Sequence, residues 1–212
     1  MFFSDFKNRI GLLQKLTLGG ESAQFQLAPA YRKPYDLKKV KAKNPTKAAV
    51  LILFYPDSNH KTSFVLTKRA DYDGHHANQI SFPGGKQDPQ DKQLLDTALR
   101  ETKEEIGVSV SATTIFKKLT EVFIPPSNFI VQPYLAYIDS TPKFTINYEV
   151  EQILSPTIYD LLDVRNQKIT HIKSTQGENF ETPYFSFQDE IVWGATAMML
   201  SELRDLLQKA IT

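Results

Sequence analysis

Three glutamates, Glu101, Glu104 and Glu105, lie within the stretch LRETKEEIGV, residues 99–108. In a helix, which turns ~100° per residue, their carboxylates fall within a wedge of roughly 100°. Glu101 and Glu105 are four residues apart, where like charges repel and destabilise a helix by ~0.2–0.5 kcal/mol. A divalent cation bound at this face would remove that repulsion. The pattern therefore indicates a metal site, and the alternative is a solvated helix face.

Clustered carboxylates suit Mg²⁺ or Mn²⁺, which take oxygen ligands, keep water molecules and bridge substrate phosphates. Gly84 and Gly85 precede the helix, and a backbone carbonyl from either could complete the ligand set because glycine lets the backbone approach closely. Arg100 can fix Glu104 through an i,i+4 contact or bind a phosphate oxygen. Two or more metal ions would neutralise a diphosphate, activate a water and stabilise the leaving phosphate oxygen. The chemistry indicated is hydrolysis of a phosphoanhydride.

The carboxylates must be carried by a helix, which we predict over residues 90–106 with its apolar stripe inward. Asp88, before a proline, or Asp91 could cap its start, and Gly107 could supply a left-handed residue at its end. The glutamate edge would then face the FPGG loop, residues 82–85. The stripe consists of Leu94, Leu95, Ala98, Leu99, Thr102 and Ile106.

The segments around this helix indicate a mixed α/β protein with a sheet sandwiched between helices. A short helix follows Pro156, and a C-terminal helix covers residues 192–210. AAVLILFYP, residues 48–56, is a continuous apolar run typical of a strand buried on both faces. The predicted strands are 48–56, 62–69, 79–83, 114–123, 129–138, 168–174 and 183–187.

The N-terminal 47 residues differ in character from the rest of the chain. Apolar residues recur there at helical spacing, which predicts an amphipathic helix packed on the body rather than a membrane-surface or targeting helix. Residues 31–47 carry seven basic residues and one acidic residue, so we predict an exposed connector, with a basic rim for an anionic substrate as the alternative. We assign residues 1–47 to the N-terminal helix and basic connector and residues 48–212 to the catalytic domain. The helical spacing is that of Phe2, Phe6, Ile10, Leu13 and Leu16.

Composition narrows the class of protein. The chain has 212 residues, 25 Lys and Arg, 24 Asp and Glu, and a formal charge of +1, which argues against a general nucleic-acid binder. It contains no cysteine, so disulfides, zinc thiolate sites and a cysteine nucleophile are excluded. No apolar run approaches the ~18 residues of a membrane span. We expect a cytoplasmic protein without a membrane partner.

The stretch GGKQDPQDKQLLDTALRETKEEIGV resembles the Nudix box: Gly, five residues, Glu, seven residues, Arg-Glu, an apolar residue, any residue, Glu-Glu, any residue, Gly, an apolar residue. Asp91 stands at the position of the first Glu, eight residues rather than seven separate it from Arg100, and Thr102 replaces an aliphatic residue. The matching residues are Arg100, Glu101, Glu104, Glu105, Gly107 and Val108.

The preceding stretch is similar to the extra signature of the coenzyme A pyrophosphatase subgroup, in which a longer loop before the box acid is usual. Ile80 replaces Val, Asp73-Gly74 replace Leu-Arg, and Asn78 replaces Gly. The likeness covers roughly residues 48–200. The matching residues are Leu66, Thr67, Lys68, Arg69, His76, Gln79, Phe82, Pro83, Gly84, Gly85, Asp88 and Asp91.

The resemblance implies a Nudix-type α/β/α sandwich with a mixed central sheet, which hydrolyses a nucleoside diphosphate linked to another moiety. For coenzyme A the products are 3′,5′-ADP and 4′-phosphopantetheine. Glu101 and Glu105 would be the main metal ligands, with Glu104 a further ligand or the group that orients the water. The general base is left open, because Glu149 or Glu151 could also supply it.

The resemblance also implies a binding role for residues before the box. Lys68 and Arg69 would bind phosphate, the alternative being the end of an edge strand that points into solvent. Gln79 would contact the substrate or serve only the neighbouring loop. Phe82 or Tyr72 could stack on adenine. Two other functions remain: a broader Nudix pyrophosphatase for ADP-ribose, NADH or nucleoside triphosphates, and a sensor that binds a nucleotide without cleaving it. The segments 1–47 and 164–190 could form a homodimer contact or cover the site.

Overall fold

A six-stranded mixed sheet forms the centre of the molecule, a computed structural model that describes residues 1–70, 79–173 and 179–211. The helices are α1 Phe3–Lys15, α2 Gly20–Gln24, α3 Leu37–Lys41, α4 Leu94–Ile106, α5 Ile158–Leu162 and α6 Gly194–Ile211. The strands are β1 Thr46–Pro56, β2 Thr62–Phe64, β3 Leu66–Arg69, β4 Ile80–Ser81, β5 Gly84–Lys86, β6 Ile115–Lys118, β7 Val122–Ile124, β8 Phe129–Tyr137, β9 Val150–Leu154, β10 Gln167–Lys173, β11 Asn179–Phe187 and β12 Glu190–Val192.

Strands β1 and β8 run parallel through the middle of this sheet, and β2, β5, β6 and β7 pair antiparallel with one or the other. Two smaller antiparallel sheets have the orders β4-β3-β9 and β10-β11-β12. The prediction of a mixed α/β fold is therefore confirmed.

Strand β1 is buried on both faces, as its continuous apolar run predicts. Ala49 and Leu51 pack in one core cluster with Ala98 of α4. Ile52 and Phe54 point to the opposite face and pack in the other cluster, which includes residues of α1 and α6. Because successive strand residues face opposite sides, one sheet separates two cores and helices cover both.

The N-terminal helix is part of the second core, as the amphipathic pattern predicts. The Phe6 ring is fully buried, and its centroid lies 4.7 Å from that of Phe54 and 6.0 Å from that of Phe116. The basic connector is not wholly irregular, because α3 forms within it and Asp36 caps that helix by accepting a hydrogen bond from the Lys38 N–H. None of the helices in the described ranges is long and apolar enough to cross a membrane.

Two predicted strands are each divided in the structure. The segment 62–69 breaks at Val65, because β2 pairs with β1 of the central sheet whereas β3 pairs with β4 and β9 of a smaller sheet. The segment 114–123 breaks into β6 and β7 opposite Pro133 of β8, a residue without an amide hydrogen. The Thr120 N–H in this break donates instead to Glu202 of α6. The first break is a change of partner strand, whereas β6 and β7 both pair with β8 and only their ladder is interrupted. Both depend on contacts between residues far apart in the chain, which the pattern of each segment does not specify.

The helix that carries the glutamates, α4, begins later than predicted. Neither Asp88 nor Asp91 caps it, because its N-cap residue is Gln93, whose N–H donates to Asp96 at 3.1 Å. Its end agrees with the prediction: Gly107 adopts φ 73°, a left-handed conformation that glycine enters readily, and its N–H donates to the Lys103 carbonyl at 3.0 Å.

Candidate active site

The two-glycine strand β5 and the helix α4 lie side by side and form the centre of the site. The Gly84 N–H donates to Oε2 of Glu105 at 3.1 Å. A methyl group built on Gly85 would lie 2.5 Å from Cδ of Glu101, a distance that side-chain carbon atoms do not tolerate. The FPGG loop therefore faces the glutamate edge of the helix, as predicted, and only glycine leaves space for the Glu101 carboxylate.

Glu105 is the most buried of the three glutamates, with 3% of its surface exposed. Burial disfavours its charged form and raises its pKa to about 8, and the nearby Glu101 and Glu149 carboxylates act in the same direction. The Gly84 N–H and the Arg69 guanidinium oppose the shift without cancelling it. Burial likewise raises the pKa of Glu101, against the effect of Arg100. These carboxylates form a crowded anionic group that favours a cation.

Arg100 connects the helix start to the metal-ligand candidates. Its Nε and Nη2 atoms donate to the two carboxylate oxygens of Asp91 at 3.1 and 2.9 Å, and Nη1 donates to Glu101 at 2.9 Å and Glu104 at 3.0 Å. Nη2 also donates to the Lys86 carbonyl at 3.3 Å. Of the two roles predicted for Arg100, the i,i+4 contact with Glu104 is thus present. Arg100 positions carboxylates, and its donors are largely engaged.

The ladder between β5 and β1 distinguishes the two predicted carbonyl ligands. Gly85 pairs with Ala49, and the flanking bonds run from the Leu51 N–H to the Pro83 carbonyl and from the Gln87 N–H to the Lys47 carbonyl, both at 2.9 Å. The alternation of an antiparallel ladder then directs the Gly85 N–H and C=O toward β1 and those of Gly84 away from it. The ligand role predicted for the Gly85 carbonyl does not fit this geometry, whereas that of Gly84 does.

Arg69 and Lys68, at the end of β3, reach different groups of carboxylates. Arg69 lies 3.9 Å from Glu105 and 3.4 Å from Glu149, so it belongs to the glutamate group. Lys68 lies 2.9 Å from Glu190 of β12 and 3.6 Å from Glu151 of β9. The sequence does not predict the contact with Glu190, since the two residues are 122 positions apart in the chain and no local pattern joins them.

The remaining predicted substrate contacts have mixed outcomes. Gln79 lies beside the site, where its carbonyl accepts a hydrogen bond from the Arg69 N–H at 3.1 Å. Phe82 does not fit a stacking role, because it is only 1% exposed and packs in the core with a ring centroid 6.4 Å from that of Phe64. Its apolar ring is better buried than offered to solvent. Tyr72 and His76 lie outside the described residues.

The donor set suits Mg²⁺ or Mn²⁺, because every candidate atom at Glu101, Glu104, Glu105 and Gly84 is an oxygen. The space that Gly85 leaves beside Glu101 also fits a bound cation, and a cation would favour the charged form of the buried Glu105 carboxyl, whose pKa burial raises. Within residues 1–70, 79–173 and 179–211, no three Asp, Glu or His side chains already surround one point as metal ligands. The carboxylate oxygens of Glu101 and Glu104 instead accept hydrogen bonds from Arg100, and that of Glu105 accepts one from the Gly84 N–H.

A groove of about 730 Å³ lies at the other end of β5, beside the start of α4. It is lined by Lys41, Lys47 and Lys86, and Lys41 is paired with Glu121 at 2.6 Å. Part of the basic connector therefore borders a groove next to the box loop, whereas Glu101, Glu104 and Glu105 are not among the residues that line it.

The α/β fold and its oxygen-rich site are those expected of a hydrolase that uses a divalent metal ion, and comparisons with known proteins identify the family. Residues 45–173, more than half of the chain, match the NUDIX domain model. The protein is 31% identical over 167 residues to the Nudix hydrolase NudL of Yersinia pestis (strain Pestoides F), covering 74% of this chain and 77% of that one. The NudL of Yersinia pseudotuberculosis (strain IP 31758) matches equally well.

Solved structures share the fold at low sequence identity. RenU, a Nudix hydrolase of M. smegmatis, has a TM-score of 0.53 and 16% identity, covering 78% of this chain and 87% of that one. The NUDIX domain of Shewanella oneidensis NrtR, crystallised with ADP ribose, has a TM-score of 0.51 and 18% identity, covering 84% of this chain and 94% of that one.

The chain belongs to the Nudix hydrolase family. Members of this family hydrolyse pyrophosphate linkages in small nucleotide-derived substrates and generally use divalent metal ions, commonly Mg²⁺ or Mn²⁺. The expectation of a Nudix-type α/β/α sandwich is confirmed.

Proposed function

We propose that this Nudix hydrolase cleaves the diphosphate linkage of coenzyme A or its derivatives, with Mg²⁺ or Mn²⁺, to 3′,5′-ADP and 4′-phosphopantetheine. One observation carries the proposal: both parts of the sequence signature that precedes the box contact its most buried glutamate. Arg69, from the LTKR part, lies 3.9 Å from Glu105, and Gly84, from the FPGG part, donates to the same side chain. These contacts support the proposal because they connect both parts of the subgroup signature to Glu105, a proposed metal ligand of the box.

In this mechanism Glu101 and Glu105 are the main metal ligands, and the Gly84 carbonyl and Glu104 are further candidates. The bound ions would neutralise the diphosphate and lower the pKa of a water molecule. Arg100, held by Asp91, keeps Glu101 and Glu104 on one side of the helix. It therefore acts as a positioning residue whose loss would misplace two ligands.

The reaction transfers one proton and exchanges one bond at phosphorus. The water oxygen forms a bond to one phosphorus of the diphosphate, and the bond from that phosphorus to the bridging oxygen breaks, with the electron pair leaving on the other phosphate. The water proton goes to a carboxylate, for which Glu104 and Glu149 are the candidates. Glu149 gains support from its contact with Arg69 at 3.4 Å, while Glu151 lies beside Lys68 instead.

Arg69 and Lys68 are the proposed phosphate-binding cations. Both are already paired with carboxylates, which keeps their side chains ordered before the substrate arrives. A substrate phosphate brings more negative charge than one carboxylate and can share or displace these partners. Gln79, whose carbonyl holds the Arg69 backbone, supports this arrangement.

Two other functions are tested together with the first. A broader Nudix pyrophosphatase would cleave ADP-ribose, NADH or nucleoside triphosphates as well as coenzyme A, and the shared fold of the ADP-ribose-bound NrtR domain makes ADP-ribose a necessary comparison. A sensor would bind a nucleotide without cleaving it. The presence of all three box glutamates favours an enzyme over a sensor.

The deciding experiment is product analysis by mass spectrometry after incubation with coenzyme A, ADP-ribose, NADH and ATP in Mn²⁺. Efficient release of 3′,5′-ADP and 4′-phosphopantetheine, with kcat/KM at least tenfold above that for the other substrates, is expected. Equal rates for coenzyme A, ADP-ribose and NADH would point to the broader enzyme. Tight binding without any product would point to the sensor.

We also propose a cytoplasmic location, with which the lack of cysteine is compatible. We further propose a homodimer in which the segments 1–47 and 164–190 form the contact. Cell fractionation and light scattering after gel filtration test these two points. A monomer at micromolar protein concentration would contradict the proposed homodimer.

A further inference from the structure

Tyr148 is the most exposed large apolar residue of the described chain, with 88% of its surface in solvent. It lies in a turn between Phe144, which packs in a core cluster with its ring centroid 5.7 Å from that of Tyr55, and Val150, the buried first residue of β9. An aromatic ring left in water loses the favourable contribution that burial normally supplies. A single exposed aromatic side chain is common on protein surfaces, so the meaning of Tyr148 depends on what its backbone contacts.

The backbone on the N-terminal side of Tyr148 is held by the box helix itself. The Thr145 N–H donates to the Ile106 carbonyl at 3.0 Å, and the Asn147 N–H donates to the Glu105 carbonyl at 3.1 Å. These bonds satisfy two carbonyls at the end of α4 that have no partner within the helix. The residue before Tyr148 is thus fixed to the backbone of a proposed metal ligand.

The backbone on its C-terminal side is held equally well. The Asn147 carboxamide oxygen accepts from the Glu149 N–H at 2.9 Å, and the Val150 N–H donates to the Asn147 carbonyl at 3.3 Å. The Glu149 carbonyl accepts from the Ala70 N–H at 2.8 Å, which ties the turn to the end of β3. Only the ring of Tyr148 is free to adapt, while its backbone is preorganised.

This turn also reaches the charged group of the site. The Glu149 carboxylate lies 3.4 Å from Arg69, whose guanidinium lies 3.9 Å from Glu105. Tyr148 is therefore one residue from a side chain in contact with the proposed phosphate-binding cation and one residue from the backbone bonded to Glu105. A nucleotide whose diphosphate is bound at Arg69 and the glutamates would have its nucleoside within reach of this turn.

We infer that Tyr148 is the residue that stacks on the base of the substrate, so that the nucleotide is held by its base as well as by its phosphates. This inference rests on the proposed function for the position of the diphosphate. Phe82, the other aromatic candidate within the described residues, is buried in the core. An exposed aromatic ring offers a face on which a base can stack. Because the backbone that carries this ring is already held in place, binding orders little more than the ring itself and costs little entropy.

The test is equilibrium binding to the full-length protein in Mn²⁺, with 3′,5′-ADP and ADP as probes that carry a base and inorganic pyrophosphate as a probe that does not. Tyr148→Ala is expected to raise the Kd for both nucleotides about tenfold and to leave the Kd for pyrophosphate within twofold. Tyr148→Phe keeps the aromatic face and is expected to bind all three probes like the wild type.

Tyr159→Ala is the matched control, because Tyr159 is also exposed but lies on α5, which packs against β2 and α6. It is expected to change no Kd. Thermal unfolding of each variant checks that the fold is retained, and Tyr148→Gln replaces the alanine variant if that one unfolds. Unchanged nucleotide binding in the alanine or glutamine variant would overturn the inference. So would an equal loss of affinity for pyrophosphate, or a wild type that binds neither nucleotide.

The binding test is independent of coenzyme A cleavage. If coenzyme A is not hydrolysed but Tyr148→Ala selectively weakens the two nucleotides, the stacking role stands and the proposed substrate fails. If coenzyme A is hydrolysed and the variant binds nucleotides normally, the proposed function stands and the stacking role fails.

Discussion

The Arg100 guanidinium binds both carboxylate oxygens of Asp91, with Nε–Oδ1 at 3.1 Å and Nη2–Oδ2 at 2.9 Å. Asp91 also accepts from the Thr97 hydroxyl at 2.8 Å and the Asp88 N–H at 2.9 Å. This contact joins the loop before α4 to the arginine that holds Glu101 and Glu104. The loop, although one residue longer than in the usual box, therefore still fixes the helix face that carries the metal-ligand candidates.

Replacing Asp91 by Asn should weaken both the fold and the site. Loss of the charge-assisted pair is expected to lower the free energy of unfolding by about 1–2 kcal/mol and to reduce kcat because Arg100 no longer holds Glu101 in place. Chemical denaturation and steady-state kinetics measure the two effects. Asp139→Asn, which breaks the exposed pair with Lys7, serves as control and should cost less than about 0.5 kcal/mol. Equal effects of the two substitutions would contradict the special role of Asp91.

The same pair predicts a pH dependence of stability. Hydrogen bonds from Arg100 lower the pKa of Asp91 from 3.8 to about 2. A carboxylate with a depressed pKa stabilises the fold above its unfolded pKa, so this contribution is complete above pH about 4 and is lost as the pH falls through about 2. We expect the difference in the free energy of unfolding between the wild type and Asp91→Asn to shrink by on the order of 1 kcal/mol as the pH falls from 5 to 2. A constant difference across this range would exclude the contribution.

Alanine should mainly reduce activity at Gly85 of β5 and mainly reduce stability at Gly84. At Gly85 the new methyl meets the Glu101 carboxylate, the end of a side chain that can move away, so activity should fall at least tenfold with a modest loss of stability. At Gly84 it would lie 2.3 Å from the Ala49 carbonyl oxygen, with φ at 152°, so stability should fall by several kcal/mol. Gly11→Ala, in the interior of α1 with no atom within 4 Å of the new methyl, is the control and should leave activity unchanged and stability equal or slightly higher. Thermal unfolding and kcat/KM distinguish the three, and normal activity in Gly85→Ala would contradict the placement of Glu101.

Phe82 should behave as a core residue. Phe82→Ala is expected to cost about 3–5 kcal/mol of stability because it leaves a cavity beside Phe64, and Phe82→Leu should cost less. In the folded leucine variant, KM for the substrate should stay within twofold of wild type. A large rise in KM with unchanged stability would restore the substrate-binding role.

Glu105→Gln should lower activity by orders of magnitude while the protein stays folded, since glutamine has nearly the same shape and can still accept the Gly84 N–H. Mn²⁺ should raise the Tm of the wild type, because an ion that binds only the folded state stabilises it, and the rise should be smaller in the variant. Glu181→Gln, at an exposed position of β11, controls for the loss of a charge. An equally active Glu105→Gln would refute the site assignment.

The sequence alone determined the features that depend on local spacing. The glutamates at i, i+3 and i+4, the arginine one residue before them and the left-handed Gly107 are properties of one helix and its end, so a periodic pattern is sufficient to predict them. The burial of β1 on both faces follows from its continuous apolar run, and the apolar face of α1 follows from the helical spacing of its apolar residues. These features made the mixed α/β fold and the chemistry of the box predictable.

Only the tertiary structure decided which distant residues meet. Val65 lies where the chain passes from the central sheet to a smaller one, and that change brings Arg69 to Glu105 and Lys68 to Glu190. The ladder with β1 separates the roles of Gly84 and Gly85, and core packing removes Phe82 from the surface while Tyr148 remains on it. Contacts between residues far apart in the chain depend on strand pairing and packing across several elements, which short-range periodicity does not specify.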